Sequence, residues 1–100
     1  MPAKLLMTWD IAPDREQEYF EFVVREFIPG LQRLGFEVSD AWATVYGTQP
    51  QILVGAVLPA TVKARQLLRT AEWKNLNNQL LDYVRNYTHK VVEAKGGFQF

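Results

Sequence analysis

The residues best suited to chemistry are few. His89 is the one histidine of the chain, and Asp10 and Asp40 are the carboxylates that the order of strands brings toward it. An imidazole beside a carboxylate can work as a general acid or base, because the carboxylate orients the ring and holds its proton. The competing reading is a solvated histidine at a strand start with two aspartates near turns. A second set is aromatic. Trp9, Tyr19, Trp42, Tyr46 and Trp73, joined by Tyr83, can line an apolar cavity between helices and sheet. Aromatics at helix and strand spacing also fill the cores of small domains, and a pocket wall is itself core. Arg65 and Arg69 can reach an acidic ligand at the rim of such a cavity, or simply face water.

Other chemistries lack their residues. There is no cysteine, so disulfides, thiolate metal sites and cysteine nucleophiles are excluded. One histidine and scattered carboxylates give no metal-ligand spacing, and neither metal nor cofactor is expected. Gly96-Gly97 precedes no helix and makes no phosphate loop, and no Gly-x-Ser-x-Gly elbow occurs. The net charge is zero, which advertises neither nucleic acid nor an anionic membrane. No apolar run approaches the ~20 residues of a membrane helix. Met1-Pro2-Ala3-Lys4 leads into a strand without signal-peptide architecture, so a cytoplasmic location is the expectation and the Asn86-Tyr87-Thr88 sequon reads as chance.

The elements that must position these residues follow from periodicity. Lys4–Ile11 alternates as a strand, with Leu5, Met7, Trp9 and Ile11 on one face and Leu6 and Thr8 on the other. Asp14, with Gln17 three residues on, is a plausible cap for a helix striped by Tyr19, Phe22, Val23, Phe27, Leu31 and Leu34. Pro29 removes a backbone donor and should kink or end that helix. Phe36–Tyr46 and Gln51–Leu58 form a hairpin across Gly47-Thr48-Gln49-Pro50, and the second of these strands is apolar on both faces. A divided helical region follows. Thr61 can cap its first part and Thr70 its second, whose stripe runs Trp73, Leu76, Leu80, Tyr83, Val84 and Tyr87. Thr88–Ala94 is the last strand, and residues 95–100 form a tail in which Phe98 and Phe100 are apolar enough to pack on a partner.

Charge divides with the helices. Residues 1–59 carry four basic and eight acidic groups, and residues 60–100 carry seven and three. Two helices of opposite charge lying side by side account for this.

The order strand, helix, two strands, helix, strand is the βαββαβ plan of the ferredoxin-like fold, an α+β domain spanning residues 1–100. It places strands one and three at the centre of a four-stranded antiparallel sheet with both helices on one face. Asp10, Asp40 and His89 then fall at one end of the sheet. The other face carries Leu6, Leu53 and Val57, and exposing large apolar side chains forfeits roughly 1.5–3 kcal/mol each. Such a patch predicts an interface, most simply a homodimer packed sheet against sheet.

Three stretches carry a resemblance: Phe27-Ile28-Pro29-Gly30-Leu31, Ala41-Trp42-Ala43-Thr44 and Arg69-Thr70-Ala71-Glu72-Trp73. With the element order, the chain resembles the dimeric α/β-barrel superfamily over nearly its whole length, and within it is most similar to NIPSNAP-like domains. That resemblance implies protomers paired through their sheets. It spans several activities: cofactor-independent monooxygenases that bind flat phenolic substrates in an aromatic cavity, haem-handling enzymes in which a histidine such as His89 is an axial ligand, isomerases, and ligand-binding domains. Three functions stay open. One is a homodimeric domain that binds a small apolar or aromatic molecule. Another is a cofactor-independent monooxygenase or related enzyme acting on an aromatic substrate. The third is a structural module with a closed core.

Overall fold

The computed structural model describes residues 2–43, 51–58 and 61–93. Its elements run β1 (Ala3–Ile11), α1 (Glu16–Phe22), a π-helical turn (Val23–Phe27), α2 (Ile28–Leu34), β2 (Glu37–Ala43), β3 (Ile52–Leu58), α3 (Thr61–Leu67), α4 (Ala71–Leu80) and β4 (Val84–Glu93). The sheet is four-stranded and antiparallel in the order β2-β3-β1-β4. The first and third strands are central, as the βαββαβ plan requires.

Alternation along the central strands decides where the core sits. Leu5 pairs with Ala56, Met7 with Val54 and Trp9 with Ile52, so these residues share the face beneath the helices. They join Tyr19, Phe22, Phe27, Leu31, Trp73, Leu76 and Leu80 in one apolar cluster. Trp9, Met7, Phe27 and Leu31 are fully enclosed, each burial contributing about 1.5–3 kcal/mol. Both helical layers therefore lie on one face of the sheet.

Pro29 does not end the first helix. Its ring cannot donate to the carbonyl of Arg25 and would crowd it in a regular α-helix. The chain widens into the π turn just before it, where the N–H of Ile28 reaches back to the carbonyl of Val23. Pro29 then occupies the first turn of α2, where a missing N–H costs little. The helix stops at Gly35, whose φ of 103° suits a residue without a Cβ.

Three local expectations change. Asp14 is not the cap of α1: it takes a left-handed turn conformation, φ 65°, and Arg15 precedes the helix without a side-chain capping bond. Thr70 does cap α4, accepting from the Trp73 N–H at 3.2 Å. The stripe of α4 ends at Leu80. Tyr83 lies in the turn, while Val84 and Tyr87 belong to β4, which begins four residues before the expected Thr88. Tyr83 and Val84 continue a helical spacing by chance, and the backbone departs from it because the turn closes through Tyr83 N–H to the Leu80 carbonyl. The remainder of the expected second strand, the hairpin turn and the Phe98–Phe100 tail lie outside the described residues. No helix of the described residues is long and apolar enough to cross a membrane.

Candidate functional site

The second strand contains the decisive irregularity. Its pairing with β3 shifts between Val38 and Asp40, so that Ser39 is an inserted residue. A β-bulge reverses which face the following residues occupy. Val38 pairs with Ala56 on the helix face, yet Asp40 pairs with Gly55 and Trp42 with Leu53 on the opposite, open face. Ala41 and Ala43 turn toward the helices, opposite Val54 and Ile52.

Two small alanines under a helix leave a gap. A recess of about 270 Å³ opens between this end of the sheet and the first helix. Its floor comes from Trp9, Ala41, Ala43, Ile52 and Val54, and its helical wall from Tyr19, Val23, Phe27 and Ile28, with Trp42 at the strand that bounds it. None of these side chains is charged. Tyr19, in the helical wall, accepts the Trp9 indole N–H on its hydroxyl at 2.9 Å. Burial pushes the Tyr19 hydroxyl above its ordinary 10.0, and the bond from Trp9 only partly offsets this. Aromatic edges hold the wall together: Trp9 meets Tyr19 and Phe27 edge-on at 6.4 and 5.9 Å.

The aromatic candidates divide. Trp9 and Tyr19 are buried and line the recess. Trp42 bounds it, but the bulge turns its register to the open face, where it is 59% exposed. Trp73 is buried elsewhere, against Phe36 and His89 at 6.1 Å from each ring. Tyr46 lies outside the described residues. Tyr87, from the misassigned end of the helix stripe, stacks on Trp9 at 6.2 Å and so backs the recess. Among the described residues its enclosed hydroxyl has no hydrogen-bond partner, and burial pushes it far above its ordinary value.

The polar candidates do not assemble at one end of the sheet. His89 pairs with Met7 on the helix face, its ring between Trp73 and Tyr87. Asp40 lies on the opposite face. Its carboxylate accepts from Lys4 Nζ at 2.7 Å and from Ser39 at 3.0 Å. Lys4 first of all, through that hydrogen bond, holds the Asp40 carboxyl below its ordinary 3.8. Asp10 is four residues along β1 from the level of Gly55, about 13 Å at strand rise. There it ties strand ends together, accepting from the Gln51 N–H and the Asn86 side chain, both at 2.9 Å. The Asn86 bond, then the Gln51 bond, lowers its carboxyl from 3.8. The bulge and the two-faced sheet separate what a plain strand order would gather. Among the described residues no group of three His, Cys, Asp or Glu side chains could hold a metal ion.

Sequence reasoning missed Lys4, the partner of Asp40, and the two alanines that open the recess. Ala41 and Ala43 did show there as small residues two apart on one strand.

No family model matches the sequence, and a search of curated proteins finds no relative. Solved structures do match. A NIPSNAP family protein from Agrobacterium tumefaciens superposes with a TM-score of 0.67 at 15% identity, over 96% of this chain and 95% of that one. The chain has the ferredoxin-like fold of NIPSNAP-type structures. An ethyl tert-butyl ether d (ethd) family protein from Bacillus halodurans gives a TM-score of 0.69 at 16% identity, over 95% of this chain and all of that one (100%). A protein from Nitrosomonas europaea, named as a candidate antibiotic biosynthesis monooxygenase, gives 0.65 at 9% identity, over 93% and 89%. At these identities the NIPSNAP-like likeness is one of fold, and the site must be argued from its own residues.

Proposed function

We propose that the protein binds a small apolar or aromatic molecule in the recess between the first helix and the sheet, and that it does so as a homodimer paired through the open sheet face. The observation that carries the binding reading is the uncharged, apolar and partly aromatic lining around Trp9 and Tyr19. At about 270 Å³ the recess lies just under the roughly 300–1,000 Å³ of sites for drug-sized ligands, which suits one or two fused rings. Supporting the dimer are Leu53, Val57 and the exposed Trp42, which share the face that the helices leave uncovered.

Binding without reaction is preferred over an oxygenase. Among the described residues no carboxylate or imidazole lines the recess, and His89 stands against Trp73 instead. Fold likeness to one protein named as a monooxygenase does not supply the missing acid or base.

Naphthalene is a suitable probe, followed by equilibrium dialysis and by methyl NMR shifts at Val23, Ile28 and Val54. Binding is expected in the wild type and lost in Ala41→Phe, which fills the recess from an exposed strand position. No binding, or equal binding by the filled variant, would remove the reading. Sedimentation of the wild type and of Leu53→Lys tests the dimer: a monomeric wild type, or a dimer indifferent to the charge, would reject the sheet-face interface.

A further inference from the structure

Tyr19 gives the recess a chemical preference. The side chain is 3% exposed and lines the space. Its oxygen already accepts the Trp9 N–H. A phenol that accepts one bond still has its own proton to give. No acceptor for that proton stands among the described residues. Trp9 cannot rotate away to change this, since it is fully buried, edge-on to Phe27 and stacked on Tyr87. The donor to Tyr19 is therefore fixed, and no described residue competes with an entering acceptor for the hydroxyl proton.

We propose that the recess selects neutral, ring-sized molecules carrying one accepting oxygen, such as an aryl ketone or ether, and that Tyr19 is the residue that selects them. This rests on the binding reading above and deepens it. An incoming acceptor completes the valence of the Tyr19 hydroxyl, whereas a plain hydrocarbon leaves the buried donor unpaired. A carboxylate is rejected for a different reason. Among the described residues no lysine, arginine or histidine lines the recess, so an anion would lose its hydration without a counter-charge from them. Burial also keeps the phenol protonated beyond its usual range, so it remains a donor throughout the neutral and mildly alkaline range.

Three probes of similar ring size separate these terms: naphthalene, 2-acetylnaphthalene and 2-naphthoate, each titrated into the wild type and Tyr19→Phe by equilibrium dialysis at pH 7. The wild type is expected to bind the ketone roughly two- to tenfold more tightly than its partition into an apolar solvent, relative to naphthalene, accounts for. The naphthoate should bind weaker by on the order of a hundredfold or more. Tyr19→Phe should erase the ketone's advantage over naphthalene. Should the wild type hold ketone and hydrocarbon alike, or the variant keep the preference, Tyr19 is not the selector although the recess still binds. Tight naphthoate binding would overturn the exclusion of anions. Absence of binding by all three probes would overturn the recess itself as a site, and this inference with it.

Discussion

Gly55 should tolerate alanine only when Asp40 is gone. A Cβ built on Gly55 would stand 2.8 Å from Asp40 Oδ2 and 3.3 Å from Asp40 Cβ. The carboxylate cannot retreat without leaving Lys4, which it holds at 2.7 Å with side chains only 10% and 15% exposed. Exposed ion pairs contribute about 0–1 kcal/mol, whereas breaking a fully buried pair costs about 3–5 kcal/mol. This pair lies between those limits, so its loss should cost about 2 kcal/mol. Alanine also recovers about 0.5–1 kcal/mol over glycine in a strand interior. Gly55→Ala should therefore destabilise the wild type by about 1–1.5 kcal/mol. In an Asp40→Ala background the carboxylate is gone and only the 3.3 Å approach of the Cβ at position 40 remains, so the same change should be close to neutral, within about 1 kcal/mol. The assay is a double-mutant cycle by urea unfolding, at one protein concentration so that any self-association is held constant. An equal effect of Gly55→Ala in both backgrounds would refute the claim that this glycine exists to let the carboxylate cross β3.

Other substitutions probe separate parts of the structure. Thr70→Ala removes the acceptor of the Trp73 N–H and should cost about 1 kcal/mol, lowering the melting temperature by roughly 4–8 °C in calorimetry; an unchanged melting temperature would mean the cap is idle. Tyr19→Phe strands the buried Trp9 N–H and should cost about 1–3 kcal/mol in urea; a loss within error would mean that N–H finds another acceptor. Acid should also weaken the fold through Asp40. Its carboxyl is depressed in the folded state, so the unfolded chain takes up the proton first as pH falls. The stabilisation is complete above the ordinary 3.8 and drains away as pH drops through the lower folded value. Urea midpoints measured between about pH 6 and 2 should fall less steeply for Asp40→Asn than for the wild type, and parallel curves would exclude the linkage.

The strand and helix order was readable because apolar periodicity is strong where burial is one-sided. Leu5, Met7 and Trp9 against Leu6 and Thr8 assign the faces of β1 without further information. Irregularities were not readable in the same way. Nothing in Glu37-Val38-Ser39-Asp40 announces that Ser39 is inserted, since any polar residue at an edge strand can sit in a bulge. That single residue moves Asp40 and Trp42 to the open face and Ala41 and Ala43 beneath the helix. It thereby dissolves the expected Asp10–Asp40–His89 grouping and opens the recess. Helix charge was readable as composition but not as contact. Among the described residues no ion pair joins the acidic first helix to the basic α4 region; the described pairs are Lys4–Asp40 and Arg15–Glu18. Opposed charges on exposed helix faces remain solvated because holding long side chains together costs entropy that water-screened attraction does not repay.

The open face was expected to be apolar, and its centre is not. Lys4, 8% exposed, and Asp40 sit among Leu6, Leu53 and Val57, with Thr8 and Thr88 hydrogen-bonded beside them. A charge at the middle of an interface is usually costly, because pairing on one side leaves desolvation unpaid on the other. Here the carboxylate and ammonium are joined within one protomer before any partner arrives. Gly55 allows the contact and Ser39 holds the carboxylate in place. A second copy covering this face would strand neither charge, and would still bury the half-buried Leu53 and Val57 and the exposed Trp42, Leu6 being buried already. The bulge thus serves both faces of the sheet at once. It settles the polar pair on the side proposed to meet a partner, and it clears space on the side proposed to hold a ligand.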